Sequence, residues 1–251
     1  MNPHPEVSSI AKLLDHAVLH PTHGRKETIA GCELGRKFSV GAVCIKPSYA
    51  AVARDALAGS GVAVCAVTGF PHGNSTVGAK VFETAEAIRN GATEIDVVIN
   101  NGLVADEDWA DVAAEVAAIQ KACADGGSIL KVIFEIDYLK PAQVETLCRI
   151  CTDAGVAFVK TSTGFGYVKQ PNGDFNYKGA TEEMVRLMRA SCGPQVGIKA
   201  AAGIRTLDDV IKFRDLGCTR IGVSATETIL AEAVARFTGE TVAAASTAEG
   251  Y

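Results

Sequence analysis

Ala157-Phe-Val-Lys-Thr-Ser-Thr-Gly-Phe-Gly166 is the stretch from which the rest of the sequence can be interpreted. Its apolar first part is typical of a short strand buried on both faces, as in a parallel sheet. Lys160 ends that strand, and Gly164 and Gly166 follow, with backbone N–H groups suited to an anion. Burial favours an uncharged lysine amine, which is a nucleophile for carbonyl carbons. The alternative is an ordinary strand-end lysine that extends into solvent.

Strand-like and helix-like segments alternate along the whole chain of 251 residues. We predict strands at about 10–15, 40–45, 62–68, 94–100, 129–136, 156–160, 196–201 and 220–223, with a helix after each of them. Eight such units predict an α/β fold of the closed (β/α)8 type, the TIM barrel. The alternative, an open doubly wound sheet, is disfavoured because no GxGxxG follows the first strand. We assign residues 1–240 to a single barrel domain and residues 241–251 to a flexible tail.

Composition narrows the class of protein. Hydrophobic residues make up 48% of the chain and the net charge is −5 with no basic run, which argues against nucleic acid as a partner. The eight cysteines lie mostly among apolar residues, which is typical of reduced thiols in a cytoplasmic protein. The polar N-terminus predicts no signal peptide, and no apolar run predicts a membrane partner.

Charged residues interrupt several of the apolar strands. The predicted C-terminal strand ends, where a TIM barrel places its active site, carry Asp15, Cys44, Asp96, Lys131, Glu135, Lys160 and Lys199. Lys160 and Lys199 belong to neighbouring strands, so each disfavours the charge of the other and one amine should be neutral. With Asp96 opposite to move protons, the set predicts Schiff-base carbonyl chemistry. A purely structural Lys–Asp–Lys network is the alternative.

At these residues the sequence resembles the deoxyribose-phosphate aldolase family. The segments that carry the resemblance are Leu14-Asp-His16, Val43-Cys-Ile45, Cys65-Ala-Val-Thr-Gly-Phe-Pro-His-Gly73, Glu94-Ile-Asp-Val-Val-Ile99, Leu130-Lys-Val-Ile-Phe-Glu135, Phe158-Val-Lys-Thr-Ser-Thr-Gly-Phe165, Gly197-Ile-Lys-Ala-Ala-Ala-Gly-Ile-Arg-Thr206 and Arg220-Ile-Gly222. They occur in order from about residue 10 to residue 235, which is nearly the whole chain.

The resemblance implies a metal-free, cofactor-free class I aldolase that cleaves 2-deoxyribose 5-phosphate to acetaldehyde and glyceraldehyde 3-phosphate. It places the Schiff-base lysine at Lys160, the second lysine at Lys199 and the proton-transferring aspartate at Asp96, with Asp15 beside them. It also implies a C-terminal proton relay at Tyr251, although a terminal tyrosine on a polar tail is often simply disordered. The substrate contacts that we expect from it are Cys44, Lys131, Thr163, Gly164, Gly203, Arg205 and Ser224.

The sequence departs from the family pattern where the phosphate should bind. Ala202 replaces a glycine, Ala225 replaces a serine, and Ala17 replaces a threonine near Asp15. An additional segment, residues 167–178, should lie at the mouth of the barrel, as a surface hairpin or as a lid whose Lys169 or Lys178 contacts phosphate. We therefore hypothesise a weaker preference for the 5-phosphate, or a different acceptor aldehyde.

Two other functions remain open at this point. A metal-dependent enzyme could use His16, His20 and His23, although the segment runs into Pro21 and does not look helical. A non-catalytic barrel that binds sugar phosphates would have no need of Lys160. For the aldolase and for both alternatives we expect small aldehyde or sugar-phosphate ligands. From the resemblance we expect a homodimer or homotetramer.

Overall fold

Eight parallel strands close into a barrel in the computed structural model, which describes residues 4–240. Each barrel strand pairs with the next one along the chain, and the last pairs with the first. The barrel strands are β1 (Leu14–Val18), β2 (Ala42–Ile45), β3 (Ala63–Thr68), β4 (Glu94–Val98), β5 (Ile129–Ile133), β6 (Phe158–Lys160), β9 (Gly197–Ala201) and β10 (Cys218–Val223). The predicted TIM barrel is confirmed.

Helices surround the barrel and cover its outer face. They are α1 (Pro5–Leu13), α2 (Arg25–Phe38), α3 (Ala50–Leu57), α4 (Val77–Arg89), α5 (Asn101–Ala105), α6 (Trp109–Asp125), α7 (Pro141–Asp153), α8 (Glu182–Ser191), α9 (Leu207–Asp215) and α10 (Thr226–Thr238). A continuous apolar core fills the layer between these helices and the outward-facing strand residues. No described helix combines the length and the apolar character needed to cross a bilayer.

Several element boundaries differ from the sequence prediction. Residues 10–13 belong to helix α1, not to the first strand, because Val7, Ile10 and Ala11 bury one helical face. Strand β4 ends at Val98 instead of residue 100, and the short helix α5 follows it. Helix α6 then begins after Asp108, whose side chain caps it. The side chain of Thr76 caps the start of α4.

The additional segment forms a two-stranded antiparallel hairpin between β6 and α8. Its strands are β7 (Val168–Lys169) and β8 (Phe175–Asn176). Tyr167 and Phe175 stack with their ring centroids 4.0 Å apart, and both side chains are largely exposed. Because the hairpin follows β6, it stands at the end of the barrel where Lys160 lies.

Candidate active site

Two lysines share one carboxylate oxygen inside the barrel. Lys160, the last residue of β6, is paired in register with Lys199 of β9. Both Nζ atoms donate to Asp96 Oδ2 at 2.8 Å. All three side chains are almost completely buried. The sequence prediction that neighbouring strands bring these residues together agrees with this geometry.

Lys199 is held by a second carboxylate. Its Nζ donates to Asp15 Oδ2 at 2.5 Å, in addition to Asp96. Burial acts to lower the pKa of Lys199, but the charges of Asp15 and Asp96 outweigh it and raise that pKa well above its usual value. Lys199 is therefore a cation at neutral pH.

A further layer of ion pairs lies around Lys131. Its Nζ is 2.6 Å from Glu94 Oε2 and 2.9 Å from Asp96 Oδ1. Arg220 joins Glu94 to Asp15, at 2.9 Å and 2.7 Å respectively. Sequence analysis missed the roles of Glu94 and Arg220, although both lie in segments that it had singled out.

The two aspartates are carboxylates held in place by these cations. Burial alone would raise the pKa of Asp96, but Lys131, Lys160 and Lys199 together hold it well below the usual range. Burial opposes ionisation of Asp15 as well, and Lys199, Lys131 and Arg220 outweigh it and lower the pKa of Asp15. A resting Asp96 is thus ionised and accepts hydrogen bonds from all three lysines.

The depth of these residues corrects two expectations. Asp15, Asp96, Lys131 and Lys199 lie within their strands and not at the C-terminal ends, so they fill the barrel interior. Lys131 is fully buried beneath Asp96 and does not line the cavity, because its ammonium group is occupied by carboxylates. It holds Asp96 in place and lies away from the cavity in which it was expected.

A cavity opens above this network at the C-terminal end of the barrel. The predicted site residues that line it are Asp15, Cys44, Lys160, Thr163, Gly164, Lys199, Gly203, Arg205 and Ser224. Ala17, Leu19 and Tyr177 also line it, and of these only Ala17 had been noted from the sequence. The predicted tail and Tyr251 lie outside the described residues.

Part of the cavity wall is formed by backbone in the left-handed region. Gly164 has φ 83° and Gly203 has φ 78°, conformations that glycine adopts without strain. Ala202 also lies in this region, with φ 73°, where a Cβ atom is unfavourable. Its methyl group lies beside Gly164, so this wall is narrower than one built of glycines alone.

The turn that follows β6 is anchored by Glu135. This buried residue lies beyond β5, with φ 55°, instead of in a strand as predicted. Its Oε2 accepts hydrogen bonds from the backbone N–H and the hydroxyl of Thr163, and that hydroxyl accepts from Phe165 N at 2.9 Å. Burial raises the pKa of Glu135, against the effect of the Thr163 bonds. Glu135 thereby fixes the cavity wall formed by residues 163–165.

Two thiols lie beside the lysines. Cys44 Sγ is 3.5 Å from Lys199 Nζ, and Cys65 Sγ is 3.0 Å from Asp96 Oδ1 and 3.2 Å from Lys131 Nζ. A hydrogen bond from Cys65 lowers the pKa of Cys44, whereas burial raises that of Cys65. The two sulfurs and an Asp96 oxygen lie close enough to share a metal ion. In this structure ammonium groups already occupy those ligand atoms, so the set does not favour a cation.

The histidines do not form the zinc site considered from the sequence. His16 is buried in β1, and its Nδ1 lies 3.0 Å from the Thr226 hydroxyl at the start of α10. Burial lowers its pKa to about 4. His20 and His23 lie in the following loop, with ring centroids 5.3 Å apart. His16 therefore packs against a helix and does not converge with the other two.

The fold and the buried lysine pair define a barrel of the Schiff-base aldolase type. A family model described as DeoC/LacD family aldolase matches residues 10–226, and the chain belongs to this family. It is 40% identical over 222 residues to the deoxyribose-phosphate aldolase of Bacillus cytotoxicus, covering 88% of this chain and 95% of that protein.

Solved structures agree with this assignment. A putative deoxyribose-phosphate aldolase from Coccidioides immitis has a TM-score of 0.84 and 35% identity, over 92% of this chain and 88% of that one. A deoxyribose phosphate aldolase from Aeropyrum pernix, described as having a unique tetrameric structure, has a TM-score of 0.80 and 26% identity, over 89% and 90% of the two chains.

Proposed function

We propose that this chain is a class I deoxyribose-phosphate aldolase, which splits 2-deoxyribose 5-phosphate into acetaldehyde and glyceraldehyde 3-phosphate. One observation carries the proposal: Lys160 lines the cavity while its Nζ shares Asp96 Oδ2 with Lys199. A nucleophilic amine, a second cation and a carboxylate in mutual contact are the groups that Schiff-base chemistry requires. The substrate is inferred from the relatives, which are named deoxyribose-phosphate aldolase.

Charge balance supports Lys160 as the nucleophile. The connected ion pairs contain three carboxylates, Asp15, Glu94 and Asp96, but four basic groups, Lys131, Lys160, Lys199 and Arg220. A buried set of charges is most stable when it is neutral, which favours one uncharged base. Lys160 pairs with a single carboxylate, whereas the other three bases each pair with two or more. The repulsion between Lys160 and Lys199 that was inferred from the sequence is therefore one part of the charge balance among all seven connected groups.

The proposed reaction begins when Lys160 Nζ adds to C1 of the open-chain sugar and water leaves, giving an iminium. A proton then leaves the C3 hydroxyl, the C2–C3 bond breaks, and its electron pair moves into the iminium to give an enamine. Glyceraldehyde 3-phosphate departs at this step. Protonation of C2 and addition of water at C1 release acetaldehyde and restore the amine. In this proposal Asp96 and Lys199 move the protons, which is supported by the shared contact of Lys160 and Lys199 with Asp96 Oδ2.

The phosphate would bind where the cavity offers donors and positive charge. Gly203 offers a backbone N–H, Ser224 a hydroxyl and Arg205 a positive charge, and all three line the cavity. The hypothesis of a weakened phosphate preference rests on Ala202, whose methyl group narrows the cavity. We also keep as predictions a homodimer or homotetramer and a cytoplasmic location.

Substitution of the nucleophile tests the proposal. Lys160→Leu should abolish turnover of 2-deoxyribose 5-phosphate, because Lys199, the other lysine that lines the cavity, is a cation held by two carboxylates. Lys169→Leu is the matched control, since Lys169 is exposed on the hairpin and does not line the cavity, and it should keep full activity. Both assays are repeated in excess EDTA, where we expect no loss. Native turnover by Lys160→Leu, or loss of wild-type activity in EDTA, would refute the proposal.

A further inference from the structure

The inserted hairpin is anchored at both of its ends. On one side, Tyr167 N donates to the Tyr138 hydroxyl at 2.6 Å. On the other side, the N–H groups of Lys178 and Gly179 donate to the two carboxylate oxygens of Asp137, at 3.0 and 2.9 Å. Both anchors belong to the turn after β5. Residues 167–178 therefore have a defined position at the mouth of the barrel and form part of its wall.

Tyr177 is the residue by which this hairpin reaches the cavity. Its side chain is half-buried and lines the cavity, whereas the exposed Lys169 and Lys178 do not. The Cβ of Tyr177 packs against Gly166, where an added methyl group would come within 3.1 Å of it. Within residues 4–240, no group is found in hydrogen-bond contact with the Tyr177 hydroxyl, which remains available to a ligand.

Tyr177 is connected through the backbone to Ala202 of the cavity. It lines the same cavity as Gly164, Ala202 and Gly203, and the backbone that follows it is joined to Ala202, since Ala180 N donates to Ala202 O at 3.2 Å. Lys160, where C1 must be held in the proposed reaction, lines the same cavity. A substrate held at Lys160 and extending to Tyr177 would bring its terminal group to the hairpin.

We propose that Tyr177 is a specificity-determining residue that hydrogen bonds the terminal polar group of the acceptor, whether that group is a phosphate or a free hydroxyl. The inference rests on the proposed aldolase function. A phenol is neutral and both donates and accepts hydrogen bonds, so it serves an anionic phosphate and a neutral hydroxyl alike. Arg205 in the same cavity is a permanent cation and favours only the phosphate. Tyr177 thus binds any polar terminal group, whereas Arg205 binds only a negatively charged one. As a result this chain accepts non-phosphorylated hydroxyaldehydes as well as phosphorylated ones.

Three substrates separate the two roles. Cleavage is measured with 2-deoxyribose 5-phosphate and with 2-deoxyribose, and aldol addition of acetaldehyde is measured with propanal, which lacks a terminal polar group. Tyr177→Phe should lower kcat/KM about fivefold to tenfold for both sugars, the effect of one hydrogen bond, and leave propanal unchanged. Arg205→Gln should lower it for the phosphorylated sugar alone. Tyr167→Phe, on the same hairpin outside the cavity, is the matched control and should alter none of the three.

Several results would overturn the inference. Equal loss for propanal would show that Tyr177 supports the fold of the mouth and not a ligand. Loss confined to the phosphorylated sugar would make Tyr177 a phosphate contact, and no loss at all would remove it from the site. Borohydride trapping of acetaldehyde on the enzyme is measured alongside in each variant. Failure of that trapping in the wild type would indicate failure of the aldolase function itself, whereas a change in the acceptor pattern alone bears only on Tyr177.

Discussion

At the scale of single residues, the buried ion pairs explain how one lysine in a row of charged groups becomes the reactive one. Lys131 and Lys199 each contact at least two carboxylates. The charges of these carboxylates outweigh the effect of burial, so the pKa values of both lysines are raised. Lys160 contacts only Asp96 and borders the cavity. In the proposed mechanism the other cations therefore supply charge, and Lys160 supplies the nucleophile.

Replacing Ala202 with glycine should increase both the stability of the enzyme and its preference for the phosphorylated substrate. The left-handed backbone at this position costs a non-glycine residue about 1–2 kcal/mol, part of which glycine loses again through its greater freedom when unfolded. Ala202→Gly should raise the free energy of unfolding by about 1 kcal/mol or less and raise kcat/KM for 2-deoxyribose 5-phosphate relative to 2-deoxyribose. Ala201→Gly, one residue earlier in β9, should instead be destabilising. The free energy of unfolding is measured in urea, and kcat/KM is measured with both substrates. An Ala202→Gly variant that is less stable than the wild type would contradict backbone strain at Ala202.

At the scale of elements, the turn after β5 organises the neighbouring turn after β6. Glu135 binds Thr163, while Asp137 and Tyr138 anchor the hairpin. Three nearby residues thus position the wall that faces the acceptor. The sequence prediction had extended β5 over Glu135, because an apolar run with one carboxylate gives no sign of where a strand ends.

Loss of the Glu135 anchor should affect the acceptor and not the Schiff base. Glu135→Ala removes the acceptor of two Thr163 hydrogen bonds, so residues 163–165 lose their fixed position. We expect KM for 2-deoxyribose 5-phosphate to rise about tenfold, in line with hydrogen bonds to a charged group, while trapping of acetaldehyde by borohydride is retained. Glu135→Gln keeps an acceptor oxygen and should show a smaller rise. Equal effects of the two substitutions would argue against hydrogen bonding as the cause.

At the scale of the whole molecule, the barrel encloses a set of charges that ties its stability to pH. Asp15 and Asp96 have pKa values below those of an unfolded chain, near 4. Their contribution to stability is present above that value and is lost as the pH falls below it. Lys131 and Lys199 have raised pKa values, so their contribution is present below about 10.4 and is lost only as the pH rises beyond it.

We therefore expect a broad plateau of stability with a steep loss on the acid side. The free energy of unfolding in urea should be nearly constant between about pH 7 and pH 9. It should fall below about pH 6.5, because buried His16, with its pKa lowered to about 4, binds a proton more readily in the unfolded chain, and it should fall further between pH 4 and pH 3. Added salt should change it little, because the charges are buried and poorly screened. Constant stability from pH 7 to pH 3 would be inconsistent with depressed pKa values at Asp15 and Asp96.

The sequence predicted the barrel because strand and helix patterns alternate eight times, and it brought Lys160, Lys199 and Asp96 together because strand order follows chain order. It could not reveal α1, since a short apolar run such as residues 10–14 is compatible with either a helix or a strand. The Glu94–Arg220 pair joins residues that are 126 positions apart, and no local pattern predicts it. Tyr177 was overlooked because the path of an inserted hairpin depends on its anchors, Asp137 and Tyr138, in another turn.

Chemical trapping on the intact enzyme tests the central claim most directly. The enzyme is incubated with acetaldehyde and borohydride, digested, and its peptides are mapped by mass. The account predicts an added ethyl group on Lys160, and none on Lys199 or Lys131, whose ammonium groups are held by carboxylates. An ethyl group on Lys199 in place of Lys160, or no modification of any barrel lysine, would contradict it.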